Sequence, residues 1–165
     1  MATKAKKPAG KPTPSKPQDA TAMLRADHKK VSALFAQYAV TRSAVKKKSL
    51  VAQICTELKV HTQIEEEIFY PEERGDVEDD MLDEAQVEHN SAKHMIVEIE
   101  KMKPGEELYD AKVKVLGEYI RHHVKEEEQP GGIFSQAKKG EEDLDEMGKR
   151  LQERKQELMA QIGGH

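Results

Sequence analysis

The sequence has no tryptophan, few other aromatic residues and a single cysteine. Aromatic residues make up 4% of the 165 positions, whereas charged residues make up 35%. This balance argues against a β-sandwich and favours a helical bundle with an aliphatic core and a well-solvated surface. Because Cys55 has no second cysteine with which to form an internal disulfide, we expect a reducing, cytoplasmic environment.

Long apolar runs and strong net charge are also lacking. No apolar run reaches the roughly 18 residues that a membrane-spanning helix needs, and the N-terminus lacks the apolar core of a secretory signal. The formal net charge of −4 provides no general attraction to nucleic acid or to an anionic membrane. We therefore expect a soluble cytoplasmic protein with neither of these partners.

The chain divides into three predicted regions. Residues 1–18 are rich in Lys and Pro, which predicts a disordered basic tail. Residues 19–138 are predicted to form four helices, which cover about Asp19 to Val40, Ser43 to Phe69, Asp80 to Met102, and Leu108 or Asp110 to Pro130. Residues 139–165 hold one more helical stretch, from about Glu141 to Ile162. Prolines mark the predicted ends of the second, third and fourth helices, and the short connections predict an up-down-up-down four-helix bundle.

A histidine lies on the apolar stripe of each of these four helices. In an amphipathic helix the apolar residues recur at spacings of three and four. That stripe includes His28, His61, His89 and His123 in the first to fourth helices, respectively. We therefore expect each helix to direct one imidazole into the core of the bundle.

Two glutamates share these stripes, each four residues after a histidine. Glu65 follows His61 and Glu127 follows His123, and residues at this spacing lie on one helix face. A buried carboxylate is costly unless it is paired or bound to a metal. Four imidazoles and two carboxylates without a thiolate suit iron, manganese or zinc. The pattern predicts two metal ions bridged by the carboxylates; the alternative is a metal-free structural bundle with hydrogen-bonded core histidines.

Motifs of other metal and hydrolytic sites are absent from the sequence. Ferritin-like di-iron proteins carry Glu-x-x-His on two helices, and here no histidine has a glutamate three residues before it. No His-Glu-x-x-His motif of the zinc proteases occurs either.

Four segments resemble the bacterial hemerythrin-like (HHE cation-binding) proteins. They are Asp27-His28, HTQIEEEIFYP, VEHNSAK and VLGEYIRHHVKEEE, and the resemblance covers about residues 20 to 160. It implies a four-helix bundle with a non-haem di-iron centre. Members of this family bind dioxygen, respond to oxygen, iron, nitric oxide or peroxide, or store iron. The ligands implied by position are His28, His61, Glu65, His89, His123 and Glu127.

The third helix departs from the pattern of the oxygen-carrying hemerythrins. Those proteins have a second histidine four residues after the first, where this chain has Lys93, followed by His94. At about 100° per residue, His94 points about 140° away from His89, so it would reach the centre only through a local π-bulge. Otherwise we expect an open coordination position, which favours exogenous ligands or labile metal over tight dioxygen carriage. A second departure follows Glu127, where Pro130 ends the fourth helix within one turn.

The function that we expect is binding or sensing of dioxygen, nitric oxide or peroxide at two non-haem iron ions, with manganese or zinc as alternative metals. Alternatives are iron storage, turnover of peroxide or nitric oxide, and a bundle without metal. The C-terminal helix repeats Leu144, Met147, Leu151 and Leu158 and is predicted to cover one face of the bundle. A homodimer formed through this helix is the alternative.

Overall fold

The computed structural model describes residues 18–163, which form seven helices and one π-helical turn. The helices are α1 (Ala20–Val40), α2 (Ala44–Ile64), α3 (Tyr70–Glu73), α4 (Asp79–Glu100), α5 (Tyr109–Glu128), α6 (Ile133–Lys139) and α7 (Leu144–Gly163), and the π-helical turn (Glu65–Phe69) joins α2 to α3. The predicted all-α class is confirmed. Of the predicted tail, only Gln18 lies within the described residues. None of the described helices is long and apolar enough to cross a membrane.

Helices α1, α2, α4 and α5 form the predicted four-helix bundle. Helix α1 packs against α2 and α5, and α4 packs against α5 and α2. The side chains of Asp19 and Ser43 accept backbone N–H groups at the starts of α1 and α2, which satisfies donors that a helix leaves free. Helix α7 lies outside the bundle, across α1, α2 and the π-helical turn.

The sequence pattern predicted that the second helix ends at Tyr70-Pro71, but the chain stays helical through these residues. The Tyr70 N–H donates to the carbonyl of Glu65, five residues back, and Tyr70 keeps helical backbone angles. Helix α3 then extends to Glu73 with a proline in its first turn, where a missing N–H does little harm. The π-helical turn lies in the second predicted helix. In the third, where a π-bulge would bring His94 to the centre, α4 is α-helical throughout.

Two apolar clusters fill the core, one on each side of a polar layer. One contains Leu24, Ile64, Phe69 and Phe134, together with residues of α7. The other is built from residues nearer the opposite end of the bundle, including Leu34, Ile54, Ile96 and Leu116. His28, His61 and His89 lie in sequence between members of the two clusters. Helical periodicity therefore places them at one level of the bundle.

Candidate metal centre

The structure brings all six predicted ligand residues together in the bundle core. His28 comes from α1, His61 from α2, Glu65 from the π-helical turn, His89 from α4, and His123 and Glu127 from α5. All six side chains are buried, and both glutamates are 0% exposed. Each helix of the bundle contributes at least one side chain, as the apolar stripes predicted.

The six residues form two adjacent triads. The first triad is His28, His61 and Glu127, and the second is Glu65, His89 and His123. Within each triad, one donor atom of every residue lies within 4.8 Å of the others. Each triad therefore has the residue types and proximity needed to hold one metal ion.

The two carboxylates lie between the triads. Glu65 Oε1 is 2.8 Å from His61 Nε2 in the first triad and 3.3 Å from His89 Nε2 in the second. Glu127 Oε1 is 3.2 Å from His28 Nε2 and 3.2 Å from His123 Nε2, again one atom from each triad. This is the placement that bridging carboxylates require, because each can present an oxygen to both triads.

A carboxylate lies near the outward-facing ring nitrogen of every one of the four histidines. Hydrogen-bond distances of 3.0, 3.1 and 2.8 Å join His61 Nδ1 to Asp27, His89 Nδ1 to Glu66, and His123 Nδ1 to Glu88, respectively. Glu128 lies 3.7 Å from His28 Nδ1. At His61, His89 and His123 this carboxylate fixes the tautomer and orients the ring, which leaves Nε2 free to bind a metal. Glu128 is too far from His28 Nδ1 for a hydrogen bond.

Donor atoms of the triads are buried without hydrogen-bond partners. Within residues 18–163, this holds for His28 Nε2, His61 Nε2, both carboxylate oxygens of Glu65, and Glu127 Oε1. The short distances between them do not have the angles of hydrogen bonds. Native proteins rarely leave buried polar atoms unsatisfied, and a pair of metal ions would satisfy this set. The residues therefore fit a metal centre, because their side chains are of metal-binding types and several of their donor atoms have no hydrogen-bond partner.

Charge in the metal-free centre is shared between imidazoles and carboxylates. Burial opposes the charged form of His61, but Glu65 and Asp27 outweigh it and raise the pKa of His61 to about 10. Burial likewise opposes the charge of Glu127, yet His123 and His28 hold its pKa well below the ordinary value. Protons thus occupy the positions that a metal would take, and metal binding must displace them.

Tyr70 is a residue of the centre that the apolar stripes did not reveal. Its hydroxyl donates to Glu127 Oε2 at 2.7 Å and lies 3.2 Å from His89 Nε2 and 3.5 Å from His123 Nε2. In a regular α-helix, Tyr70 would point about 140° away from Glu65. The π-helical turn between them removes this offset, and no apolar or polar pattern in the sequence indicates such a turn.

Lys93 and His94 lie where the regular α-helical register of α4 places them. His94 is exposed on the bundle surface. The Lys93 ammonium lies 2.7 Å from Glu66, the carboxylate that contacts His89. Glu66 therefore supports a histidine of the second triad from outside the triad. Neither Lys93 nor His94 adds a donor to the triads.

A small cavity lies beside the triads. Its volume is about 20 Å³, enough for a molecule the size of water. Its lining consists of all four histidines, the aliphatic side chains of Val31, Leu58, Ala92, Ile120 and Val124, and Asp27, Thr62, Glu88 and Tyr119. A surface groove of about 230 Å³ along α1 and α5 shares Val31, Ile120 and Val124 with it. The centre therefore faces an apolar space close to the surface.

Comparison with known proteins gives three matches. Residues 19–130 match the family described as hemerythrin HHE cation binding domain. A DNA nickase of Nostoc sp. (strain PCC 7120) is 27% identical over 106 residues, which are 64% of this chain but 30% of the nickase. A crystal structure of a hemerythrin HHE cation binding domain-containing protein from Mycobacterium kansasii superimposes with a TM-score of 0.73 at 19% identity. The superposition covers 87% of this chain and 89% of the Mycobacterium kansasii chain, and it shows that the two have the same fold.

Proposed function

Because this chain belongs to the hemerythrin HHE cation-binding family, we propose that its two triads bind a pair of non-haem iron ions that take up dioxygen, nitric oxide or peroxide. The observation that supports this most is that donor atoms of both triads, including oxygens of Glu65 and Glu127, are buried without hydrogen-bond partners. Iron ions here would supply coordination and redox chemistry for a small ligand. We propose binding or sensing, with no chemical turnover, as the role of this centre.

The donor set favours iron, manganese or zinc over other metals. Imidazole and carboxylate ligands without thiolate suit these ions, whereas a set of oxygen ligands alone would favour calcium or magnesium. Cys55 lies in the apolar cluster away from the triads and is not a ligand. Manganese and zinc thus stay as alternatives to iron.

The apolar cavity supports a small ligand of low charge. Two imidazoles and the two shared carboxylates would leave a six-coordinate iron ion with open positions for an exogenous group. Much of the cavity wall is aliphatic, and such a wall disfavours large or strongly hydrated molecules. Dioxygen, nitric oxide and hydrogen peroxide satisfy both limits.

Turnover of peroxide or nitric oxide is the second candidate, and Tyr70 favours it. The Tyr70 hydroxyl lies at the junction of the two triads and carries a proton, because burial and the carboxylates of Glu127 and Glu65 raise its pKa well above the ordinary value. Such a group can donate a hydrogen bond, or a proton, to a ligand in the centre.

No nicking activity is inferred from the Nostoc relative, because this chain covers under a third of that protein.

Helix α7 buries Met147, Leu151 and Leu158 against the core of its own chain. This agrees with the covering role predicted for it. A homodimer is still an alternative, and sedimentation of the purified protein would test it.

Metal analysis combined with ligand titration tests the proposal. Purified protein is loaded with ferrous iron, desalted and analysed for iron per chain, and its near-ultraviolet absorbance is compared with that of the metal-free protein under air. We expect two iron ions per chain, a new absorption band, and a change in that band when nitric oxide is added to the reduced protein. Peroxide consumption faster than that by free iron would favour the second candidate. Failure to retain iron, manganese or zinc would overturn both.

A further inference from the structure

Helix α7, which lies outside the four-helix bundle, reaches the surroundings of the metal centre through one lysine. Lys155 Nζ lies 2.5 Å from Asp27 Oδ1, while the other oxygen of Asp27 lies 3.0 Å from His61 Nδ1. Asp27 is buried, and the side chain of Lys155 is only 18% exposed. The three residues form a continuous chain from α7 through α1 to a donor of the first triad.

This contact holds a buried charge in place. Removing one partner of a buried ion pair leaves the other charge uncompensated, which is strongly unfavourable. Without Lys155, the Asp27 carboxylate would lose the partly buried cation that holds it and could turn away from the core. That movement would weaken its hold on the Nδ1–H of His61, which orients the ring and raises the basicity of Nε2.

The second triad has a comparable contact that does not involve α7. Lys93 contacts Glu66, and Glu66 contacts His89 Nδ1 at 3.1 Å. Lys93 belongs to α4, the same helix as His89. Only the contact of the first triad therefore depends on where α7 lies.

Other contacts attach α7 next to the centre. Arg150 forms two hydrogen bonds to Glu72 on α3. Arg154 forms two to Glu67 on the π-helical turn. At Gly148, a Cβ atom would collide with the carbonyl oxygen of Gln18, so the α7 backbone lies directly against the start of α1. These contacts fix the position of α7, and therefore the position from which Lys155 reaches Asp27.

We infer that Lys155 is a positioning residue of the first triad, and that it makes the affinity of that triad for its metal ion depend on the docking of α7. This rests on the proposed two-metal function. Binding and docking are coupled in both directions, so an ion in the first triad also stabilises docked α7. Helix α7 is then the element by which occupancy of the centre reaches the surface of the protein.

Zinc titration of the full chain tests this, because zinc is redox-inactive and its two affinities can be resolved by competition with a chelator. Lys155→Gln should weaken one of the two sites by about tenfold, the lower end of the effect of supporting residues, and leave the other within about twofold. Lys155→Arg should restore most of the affinity. Lys149→Gln is the matched control, because it removes one positive charge from an exposed position of α7 and should leave both sites unchanged.

Two further measurements make the test specific. Lys93→Gln should weaken the site that Lys155→Gln spares, so the double variant should show both sites weakened. Hydrogen exchange of α7 amides should slow when zinc is added to the wild type, and less so in Lys155→Gln.

The inference is overturned if Lys155→Gln leaves both affinities unchanged, if it weakens both equally, or if Lys149→Gln has the same effect. If the wild type binds fewer than two zinc ions, the two-metal function itself fails and the inference fails with it. Two bound ions with an unaffected Lys155→Gln variant overturn the inference alone.

Discussion

Glu73 gives the clearest test of the electrostatics in this structure. This residue ends α3, is 0% exposed, and among the described residues neither of its carboxylate oxygens has a hydrogen-bond partner. Burial, together with the nearby carboxylates of Asp76 and Glu142, raises its pKa to about 7. Glu65 is equally buried but faces imidazoles. Glu73 is therefore an uncompensated acid, whereas Glu65 is a candidate metal ligand.

The sign of the pH effect follows from this shift. The pKa of Glu73 is about 7 in the folded chain, against an ordinary value of 4.5, so between these pH values the folded chain holds a proton that the unfolded chain has released. The contribution of Glu73 to stability is therefore full below pH 4.5 and falls as the pH rises to about 7. At about 1.4 kcal/mol per pKa unit, the loss is on the order of 3 kcal/mol above pH 7.

The variant Glu73→Gln keeps the size of the side chain and removes the titration. Urea unfolding of metal-free wild type and variant at several pH values from 5 to 8.5 gives the difference in free energy of unfolding, in which other titrating groups cancel. We expect similar stabilities at pH 5 and, at pH 8, a variant more stable by about 3 kcal/mol, which corresponds to a melting temperature higher by roughly 6–12 °C.

Glu72→Gln is the control, because the adjacent Glu72 is paired with Arg150 at 2.5 Å. It should be no more stable than the wild type at any pH. If Glu73→Gln is less stable than the wild type at pH 8, the charged carboxylate of Glu73 has a compensating partner in the folded chain and the reasoning is refuted.

Three further predictions concern the metal centre. His61→Ala or Glu65→Ala should abolish metal binding and with it the rise in melting temperature on metal loading. That rise corresponds to about 2.7 kcal/mol of stabilisation per ion at a hundredfold excess of metal over its Kd. Calorimetry with and without metal measures it, and a rise retained in either variant would contradict the prediction. His94→Ala and His122→Ala alter exposed residues and should change neither metal count nor melting temperature; an effect of His122→Ala equal to that of His123→Ala would mean that α5 is out of register by one residue. Tyr70→Phe removes the hydroxyl 2.7 Å from Glu127 Oε2 and should lower metal affinity by about tenfold in competition with a chelator; unchanged affinity would show that this hydroxyl does not help to hold the carboxylate.

Helical periodicity was sufficient to predict how the six candidate ligands are brought together. Each histidine lies on an apolar stripe, and burial of that stripe orients the side chain whatever the details of packing. The spacing of four residues then places Glu65 and Glu127 beside His61 and His123. These features depend on one helix at a time, which explains why a single sequence indicates them.

Features that depend on local irregularity or on distant segments were not predictable. Tyr70 enters the centre only because the π-helical turn rotates the chain after Glu65. Lys155 reaches Asp27 across 128 positions of sequence, and nothing in the α7 pattern distinguishes it from other lysines on a polar face. Short helix α6 was also missed, because the Pro130-Gly131-Gly132 break indicated a loop.

The charges around the triads bear on which ligands the centre can accept. Glu65 and Glu127 contribute two negative charges to the ions directly, and Asp27, Glu66, Glu88 and Glu128 add four more at the outer ring nitrogens. Lys155, Lys93 and Arg25 offset three of these. With the proposed pair of divalent ions, the whole assembly would carry about one net positive charge, which an anionic ligand would neutralise. Oxidised ions would add positive charge in a buried layer, where uncompensated charge is costly. On the proposed function, we therefore expect the oxidised centre to bind an anionic ligand more tightly than the reduced centre does.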